Sequence, residues 1–294
     1  MAEYVRTAIV TGANSGLGFE TTKELAKQNI KVIMACRNLE KAEQAKNDIL
    51  KEIPYANLRI LELDLNSFES VRNFAEEFKS KYKALHLLIN NAGFMAKKFE
   101  LSKDGIETQY ASNFLGHFLL TNLLLNRLKN SEDSRIISLA SLAHKNGKIE
   151  LEKVNDEKHY ANFKRYSETK LACLIFSYEL HRRLKSKKIQ IASIATHPGV
   201  SITSFGNALP QFAQSVQHKI GSLFMSNQKQ GAESIIFSAL DFSAKGGDYY
   251  GPSGLFEIKG KPKKVNSTKL SKDEKLAQEL WNFAEKVTGL KFEI

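Results

Sequence analysis

A phenol and an ammonium stand four residues apart in Tyr166-Ser167-Glu168-Thr169-Lys170, inside a segment whose apolar spacing predicts a helix. Four residues is about one helical turn, so both side chains share a face and lie within reach of each other. The pairing suits proton transfer. A free phenol titrates near ~10, too high for efficient exchange at neutral pH, and a neighbouring cation stabilises the phenolate and brings the exchange into range. The same spacing occurs on ordinary solvated helices, so the pair takes its meaning from its surroundings.

A second constellation lies near the start of the chain. Thr11-Gly12-Ala13-Asn14-Ser15-Gly16-Leu17-Gly18 follows an apolar run and opens a helical segment, the context in which glycines form a phosphate-binding turn. Glycines allow a tight turn and close backbone approach, so a pyrophosphate can sit on the unpaired N–H groups and positive end of the helix. The candidate dinucleotide contacts are therefore Gly12, Asn14, Ser15, Gly16, Leu17 and Gly18, with a purely structural turn as the alternative. About 20 residues further on, where an acidic side chain would bind the 2'-hydroxyl of NAD, the chain has Cys36 and Arg37. No carboxylate there repels a 2'-phosphate and a guanidinium can pair with one, so NADP(H) is favoured over NAD(H). The alternative is that Arg37 simply points to solvent.

These residues need a scaffold, and the pattern supplies one. Strand candidates are Thr7 to Val10, Lys31 to Ala35, Leu58 to Leu63, Leu85 to Ile89, Arg135 to Leu139 and Gln190 to Ala195. Helical segments intervene: Gly18 to Gln28, Leu39 to Glu52, Ser67 to Lys81, Gly105 to Lys129 and Tyr166 to Lys187. Strands alternating with helices of this length imply right-handed crossovers and a doubly wound α/β fold, a Rossmann-type, mostly parallel sheet with helices on both faces. Beyond Gly199 the expectation is an irregular apolar segment over about 200–226, a helix near Gln230 to Phe242, a short strand near Leu255 to Ile258, and a helix over about 272–288. No linker, repeat or low-complexity tract divides the 294 residues, so a single domain is expected over 1–294.

Composition narrows the function. With 43 Lys plus Arg against 32 Asp plus Glu the net charge is +11, which raises the question of a polyanionic partner. The excess concentrates in Arg182, Arg183, Lys185, Lys187 and Lys188 and between Lys259 and Lys275. No nucleic-acid motif or aromatic ladder accompanies it, so solvated surface is expected and nucleic acid is not. Two distant cysteines, Cys36 and Cys173, suggest a reducing, intracellular compartment, and the cytoplasm is the expected location. The seven His show no metal-binding spacing, and each is expected to be a surface or packing residue. The start of the chain has no targeting character and the longest apolar stretch, Phe114 to Leu125, is too short to span a bilayer.

With the glycine turn, the Tyr–Lys pair joins Asn90-Asn91-Ala92-Gly93, Asn113, Ser141 and Pro198-Gly199, a set that resembles the short-chain dehydrogenase/reductase family in order and placement over nearly the whole chain. Ala35-Cys36-Arg37-Asn38, Asn113 to Thr121, Ser141-Leu142-Ala143-His144, Lys170-Leu171-Ala172, Leu280-Trp281 and Thr288-Gly289 resemble its retinol dehydrogenase and protochlorophyllide reductase-like branch. The resemblance implies that Tyr166 is the general acid in carbonyl reduction and the base in alcohol oxidation, while Lys170 stabilises the phenolate and holds the nicotinamide ribose. It implies that Ser141 hydrogen-bonds the substrate oxygen, as a preorganised donor does, and that Asn113 holds a water in a relay to Lys170. It also implies cofactor contacts from Asp64, Leu65, Asn90, Ala92, Gly93, Pro198, Gly199 and Thr203. Three local features depart from the family pattern: Ala140 for a frequent Ser, Ser201 for a usual β-branched residue, and a polar insertion, His144 to Lys164, whose role is open, a border of the substrate pocket being one reading.

The resulting expectation is an NADP(H)-dependent oxidoreductase acting between nicotinamide and a small carbonyl or alcohol. Phe94, Met95, Phe205, Leu209, Phe212 and Phe224 would suit an apolar substrate, with ordinary core packing as the alternative. With no hydrophobic helix before the first strand, retinoid specificity is not expected to carry over. Two other readings stay open: reduction of a carbon–carbon double bond, and a non-catalytic dinucleotide-sensing protein. Homo-oligomerisation through the helices Gly105 to Lys129 and Tyr166 to Lys187 is likewise open.

Overall fold

Apolar side chains crowd the strands at the centre of the sheet because helices cover both of their faces. The computed structural model describes residues 6–199 and 228–294. Its eight-stranded sheet has the order β3-β2-β1-β4-β5-β6-β7-β8, with β1 (Thr7–Thr11), β2 (Lys31–Cys36), β3 (Leu58–Glu62), β4 (Leu87–Asn90), β5 (Ser134–Leu139), β6 (Ile191–Thr196), β7 (Tyr249–Pro252) and β8 (Pro262–Lys264). The first seven run parallel and β8 pairs antiparallel with β7. Strands β1, β4 and β5 are buried throughout, whereas edge strand β3 shows exposed positions.

Helices α1 (Gly16–Lys27) and α2 (Leu39–Glu52) pack with Ile235 and Ala239 of α7 (Gln228–Leu240) on one face. The other face carries α3 (Phe68–Lys81), α5 (Gly116–Lys129), α6 (Asn162–Ser186) and α8 (Glu274–Thr288). In α3 the buried Phe68, Val71, Phe74, Ala75 and Phe78 recur at helical spacing, which makes one apolar stripe. Phe118 of α5 joins Phe176 of α6 and Trp281 of α8 at ring distances of 5.4 and 5.2 Å, an aromatic knot that ties three helices to the sheet. Side-chain caps start several helices: Asn38 accepts from the Lys41 amide, Ser67 from Ser70 and Asp273 from Leu276.

Two expectations are corrected. No strand runs from Leu255 to Ile258; Leu255–Glu257 is a tight 3₁₀ turn at the apex of a hairpin whose arms are β7 and β8. The apolar run misled because Leu255 and Phe256 are exposed, while β8 carries Pro and Lys, poor strand residues made tenable by its edge position. The segment from Gly105 to Lys129 is also not one uniform helix. A short turn α4 (Thr108–Tyr110), capped by Glu107, passes through a π turn at Ala111–Leu115 before α5 begins. Within that wider turn the Asn113 carbonyl accepts from the side chains of His117 and Cys173, each at 3.1 Å.

Because β1 lies between β2 and β4, the chain reverses its direction of progress across the sheet there. Crevices form at such switch points, outside the carboxyl ends of the strands.

Candidate active site

At that switch point is a cleft of about 470 Å³. Its floor is the turn from β1 to α1, contributing Gly12, Ser15, Gly16 and Leu17. Gly12 and Gly16 take left-handed φ of 66° and 57°, which side-chain-bearing residues adopt only under strain. A Cβ on Gly18 would fall 2.2 Å from the Gly12 carbonyl oxygen, so the turn closes only with glycine there. Helix α1 has neither a side-chain hydrogen bond at its Ser15 cap nor an acidic residue in its first turn. Its leading N–H groups and positive dipole end therefore remain to receive an anion, and the donor set fits a dinucleotide pyrophosphate.

One wall of the cleft is cross-linked by buried polar groups. Thr11 Oγ1 accepts the amides of Asn91 and Ala92, each at 2.9 Å, and Asn91 Nδ2 donates to the Thr11 carbonyl at 2.8 Å. His117 is buried, and burial pulls its pKa down to about 4, so the ring is neutral. Its Nδ1 must donate to the Asn113 carbonyl at 3.1 Å, because a carbonyl only accepts; Nε2 then accepts from Thr11 Oγ1 at 2.9 Å. Asn113 in turn holds Phe94 at both main-chain groups, its Oδ1 accepting the amide and its Nδ2 donating to the carbonyl, with a further bond to Thr169 Oγ1. The amide of Asn113 thus fixes the loop after β4 against α6.

Helix α6 begins at Asn162, one turn ahead of Tyr166, so both Tyr166 and Lys170 lie within regular helix and line the cleft. Lys170 Nζ sits 5.7 Å from the centre of the Tyr166 ring and donates to the Leu139 carbonyl at 2.9 Å. Lys170 is 3% exposed and, among the described residues, no carboxylate stands within ion-pair distance of it. Its charge is left to act on the phenol and on whatever occupies the cleft. Gly93 gives it room: a Cβ there would stand 3.2 Å from both Lys170 Nζ and Asn113 Oδ1. Across from them, Ser141 lines the cleft at the end of β5 and caps a 3₁₀ turn over Leu142–Asn146.

Behind Ser141 runs a second buried chain. His144 Nδ1 donates to the Ser141 carbonyl at 2.7 Å, and its ring meets Tyr249 edge-on. Tyr249 packs on His197, whose Nδ1 accepts the Gly199 amide at 3.1 Å. Nε2 of His197 therefore carries the proton and donates to Glu257 Oε2 at 3.0 Å. Burial lowers the pKa of both histidines, and the His197 hydrogen bond holds Glu257 below its ordinary carboxylate value.

The structure gathers Gly12, Ser15, Gly16, Leu17, Ala92, Gly93, Ser141, Tyr166, Lys170 and Pro198 around the one cleft. Other expected contacts lie off it. Asn90 turns its Nδ2 to Thr121 at 3.0 Å, and the lining residue is its neighbour Asn91. Asp64 accepts the Asn66 amide at the end of β3, and Leu65 is buried against Gly116. Asn14 and Gly18 shape the turn without lining the cleft, and Gly199 supports Pro198 from behind. Arg37 is exposed beyond β2, and Cys36 before it is buried with its thiol pushed up to about 11. No residue between His144 and Lys164 lines the cleft; that insertion instead surrounds Arg165, which is 2.7 Å from Glu168. Thr203 and the segment 200–226 lie outside the described residues. The sequence assigns no role to Thr11, Asn91, His117 and His144, although all four stand inside the quoted motifs, and nothing in it singles out His197.

A family model described as short chain dehydrogenase matches residues 6–212. Retinol dehydrogenase 12 of Mus musculus is 34% identical over 290 residues, 98% of this chain and 88% of its own length. The chloroplastic short-chain dehydrogenase TIC 32 B of Brassica napus is 36% identical over 291 residues, covering 96% of this chain and 88% of that one. A crystal structure of a protein from Mycobacterium Paratuberculosis superposes with a TM-score of 0.80 at 35% identity, over 98% of this chain and 95% of that one.

Proposed function

The chain belongs to the short-chain dehydrogenase family, and from that premise we propose that it is an NADP(H)-dependent oxidoreductase interconverting a carbonyl and an alcohol on a small apolar molecule. The observation that carries the reading is the convergence of Tyr166, Lys170 and Ser141 on the cleft whose floor is the uncapped start of α1.

The nicotinamide, when bound, supplies or accepts the hydride. In reduction, Tyr166 gives its hydroxyl proton to the substrate oxygen as negative charge develops there, and in oxidation it takes that proton back. Lys170, 3% exposed beside Gly93, stabilises the phenolate left behind and would hold the ribose. Ser141 donates to the same substrate oxygen, fixed for that task by its place at a helix cap and by His144 on its carbonyl. Asn113 acts at one remove, by holding the Phe94 main chain beside Lys170.

Exposed Arg37, with no acidic partner among the described residues, supports preference for the 2'-phosphate of NADP(H). Phe94, Met95 and Ala140 on the cleft lining support an apolar substrate. The test is oxidation of NADPH with a panel of lipophilic aldehydes and ketones, followed by identification of the product. Alcohol formation that disappears in Tyr166→Phe supports the reading; saturation of a carbon–carbon bond, or turnover that survives the substitution unchanged, refutes it.

A further inference from the structure

The turn joining β7 to β8 presents two adjacent large apolar side chains to solvent, Leu255 at 79% and Phe256 at 76% exposure. Scattered single exposed apolar residues need no explanation, but a pair at the apex of a hairpin does. The backbone there is held in place rather than loose. Phe256 and Glu257 both have left-handed φ, 52° and 59°, a costly state for bulky residues that persists only where neighbours enforce it. Here the Ser253 amide donates to the Lys261 carbonyl at 2.8 Å and Gly254 to Lys259 at 2.9 Å. A Cβ on Gly254 would lie 2.1 Å from the Lys259 oxygen, and Glu257 is tied back to His197. The apex is thereby turned outward.

Charge around the apex is mostly positive. From Tyr249 to Ser271 the sequence has five lysines and a single carboxylate, Glu257, and one of the five, Lys264, pairs with Asp248. That carboxylate is directed inward, while Lys259, Lys261 and Lys263 are exposed. An apolar tip ringed by lysines matches the boundary of an anionic bilayer, where apolar side chains enter the headgroup layer and cations stay above it. Charge alone would suit an acidic protein equally; the projecting Leu–Phe pair favours lipid. The hairpin also stands at the carboxyl ends of the strands, with the Ile258 carbonyl packed against Gly199, next to cleft-lining Pro198.

We propose that this hairpin is a lipid-surface anchor, with Leu255 and Phe256 inserting into an anionic membrane interface and Lys261 and Lys263 pairing with its headgroups. Anchored in this way, the mouth of the cleft opens beside the bilayer. The inference does not depend on the proposed reaction.

The test is co-sedimentation of the full chain with phosphatidylcholine vesicles, with and without phosphatidylserine. Binding is expected only with phosphatidylserine and weakens as salt rises. Leu255→Asp combined with Phe256→Asp should weaken it at least about tenfold, and Lys261→Glu combined with Lys263→Glu should do so comparably. Both variants should keep the melting temperature and the affinity for NADPH. Phe242→Asp is the control: Phe242 is 91% exposed but lies at the opposite end of the sheet, and its replacement should leave binding unchanged. The proposal is overturned if the intact chain ignores phosphatidylserine vesicles, or if the Phe242 control weakens binding as much as the tip variants. It also fails if the tip variants melt lower, which would mean the apex packs within the fold, or if they dissociate an oligomer, which would make it a contact between copies.

Discussion

The two sides of the cleft are held by different kinds of polar structure. Around Thr11 and His117 the bonds form a mesh: one hydroxyl accepts two amides, one imidazole bridges two segments, and Asn113 clamps a third at both main-chain groups. Behind Ser141 the groups form a single file through His144, Tyr249 and His197 to Glu257, ending on the surface hairpin. His144 Nε2 in that file is buried with no hydrogen bond among the described residues, and Tyr249 Oη lies a long 3.5 Å from His144 Nδ1. A mesh shares the loss of one member among several bonds, whereas a file passes it along. The mesh lies beneath the expected dinucleotide, and the file begins beside Ser141, the serine proposed to meet the substrate.

Substitutions can sharpen that contrast or break it. The largest effect is expected between the two sides, at Tyr166→Phe, where steady-state turnover should fall about 10²- to 10⁴-fold. Titration of NADPH fluorescence should show dinucleotide affinity little changed, since the phenyl ring remains. Next comes Gly18→Ala in the floor of the mesh side, where the new methyl meets the Gly12 oxygen at 2.2 Å and Asn91 Nδ2 at 2.7 Å. NADPH affinity should drop by at least tenfold, with a loss of about 1–3 kcal/mol in denaturant unfolding.

His117→Asn tests the mesh itself. Removing a buried bridging group should cost about 1–3 kcal/mol in unfolding free energy. It should also change the acid response, because His117 is neutral in the fold, with a pKa of about 4 against an ordinary 6.5. The unfolded chain binds this proton first, so its contribution to stability is complete above the ordinary value and is lost as pH falls through that window. Thermal melts across the window should therefore drop less steeply in the variant than in the parent. An equal drop would remove His117 from the account. The smallest effect belongs to the file: Glu257→Gln keeps an acceptor for His197 Nε2 but loses the charge, and should cost about 1 kcal/mol or less. If it instead lowers turnover as much as a change at Ser141, the file is a tighter coupling than the geometry indicates.

The parts of this site that were legible in the sequence are those whose geometry is local. The glycine turn and the Tyr–Lys pair each depend on a handful of consecutive residues whose backbone state composition announces. The mesh was not legible, because Thr11 meets His117 across 106 positions and nothing near either residue signals the other. The π turn lies in Ala111-Ser112-Asn113-Phe114-Leu115, a stretch whose composition suits an ordinary helix equally well. At the far edge of the sheet, the rule that apolar runs are buried strands failed at Leu255 and Phe256 because their strained turn points them outward. Pro262-Lys263-Lys264 paired with β7 although its composition argues against a strand, as the edge of a sheet permits.

The central claim is most directly tested by following the label from NADPH deuterated at the transferable position of its nicotinamide into a lipophilic ketone, with mass spectrometry of the product. The account predicts an alcohol bearing deuterium at the former carbonyl carbon from the parent chain, and almost none from Tyr166→Phe in the same interval. Unlabelled product, or equal labelling by the two proteins, would contradict it.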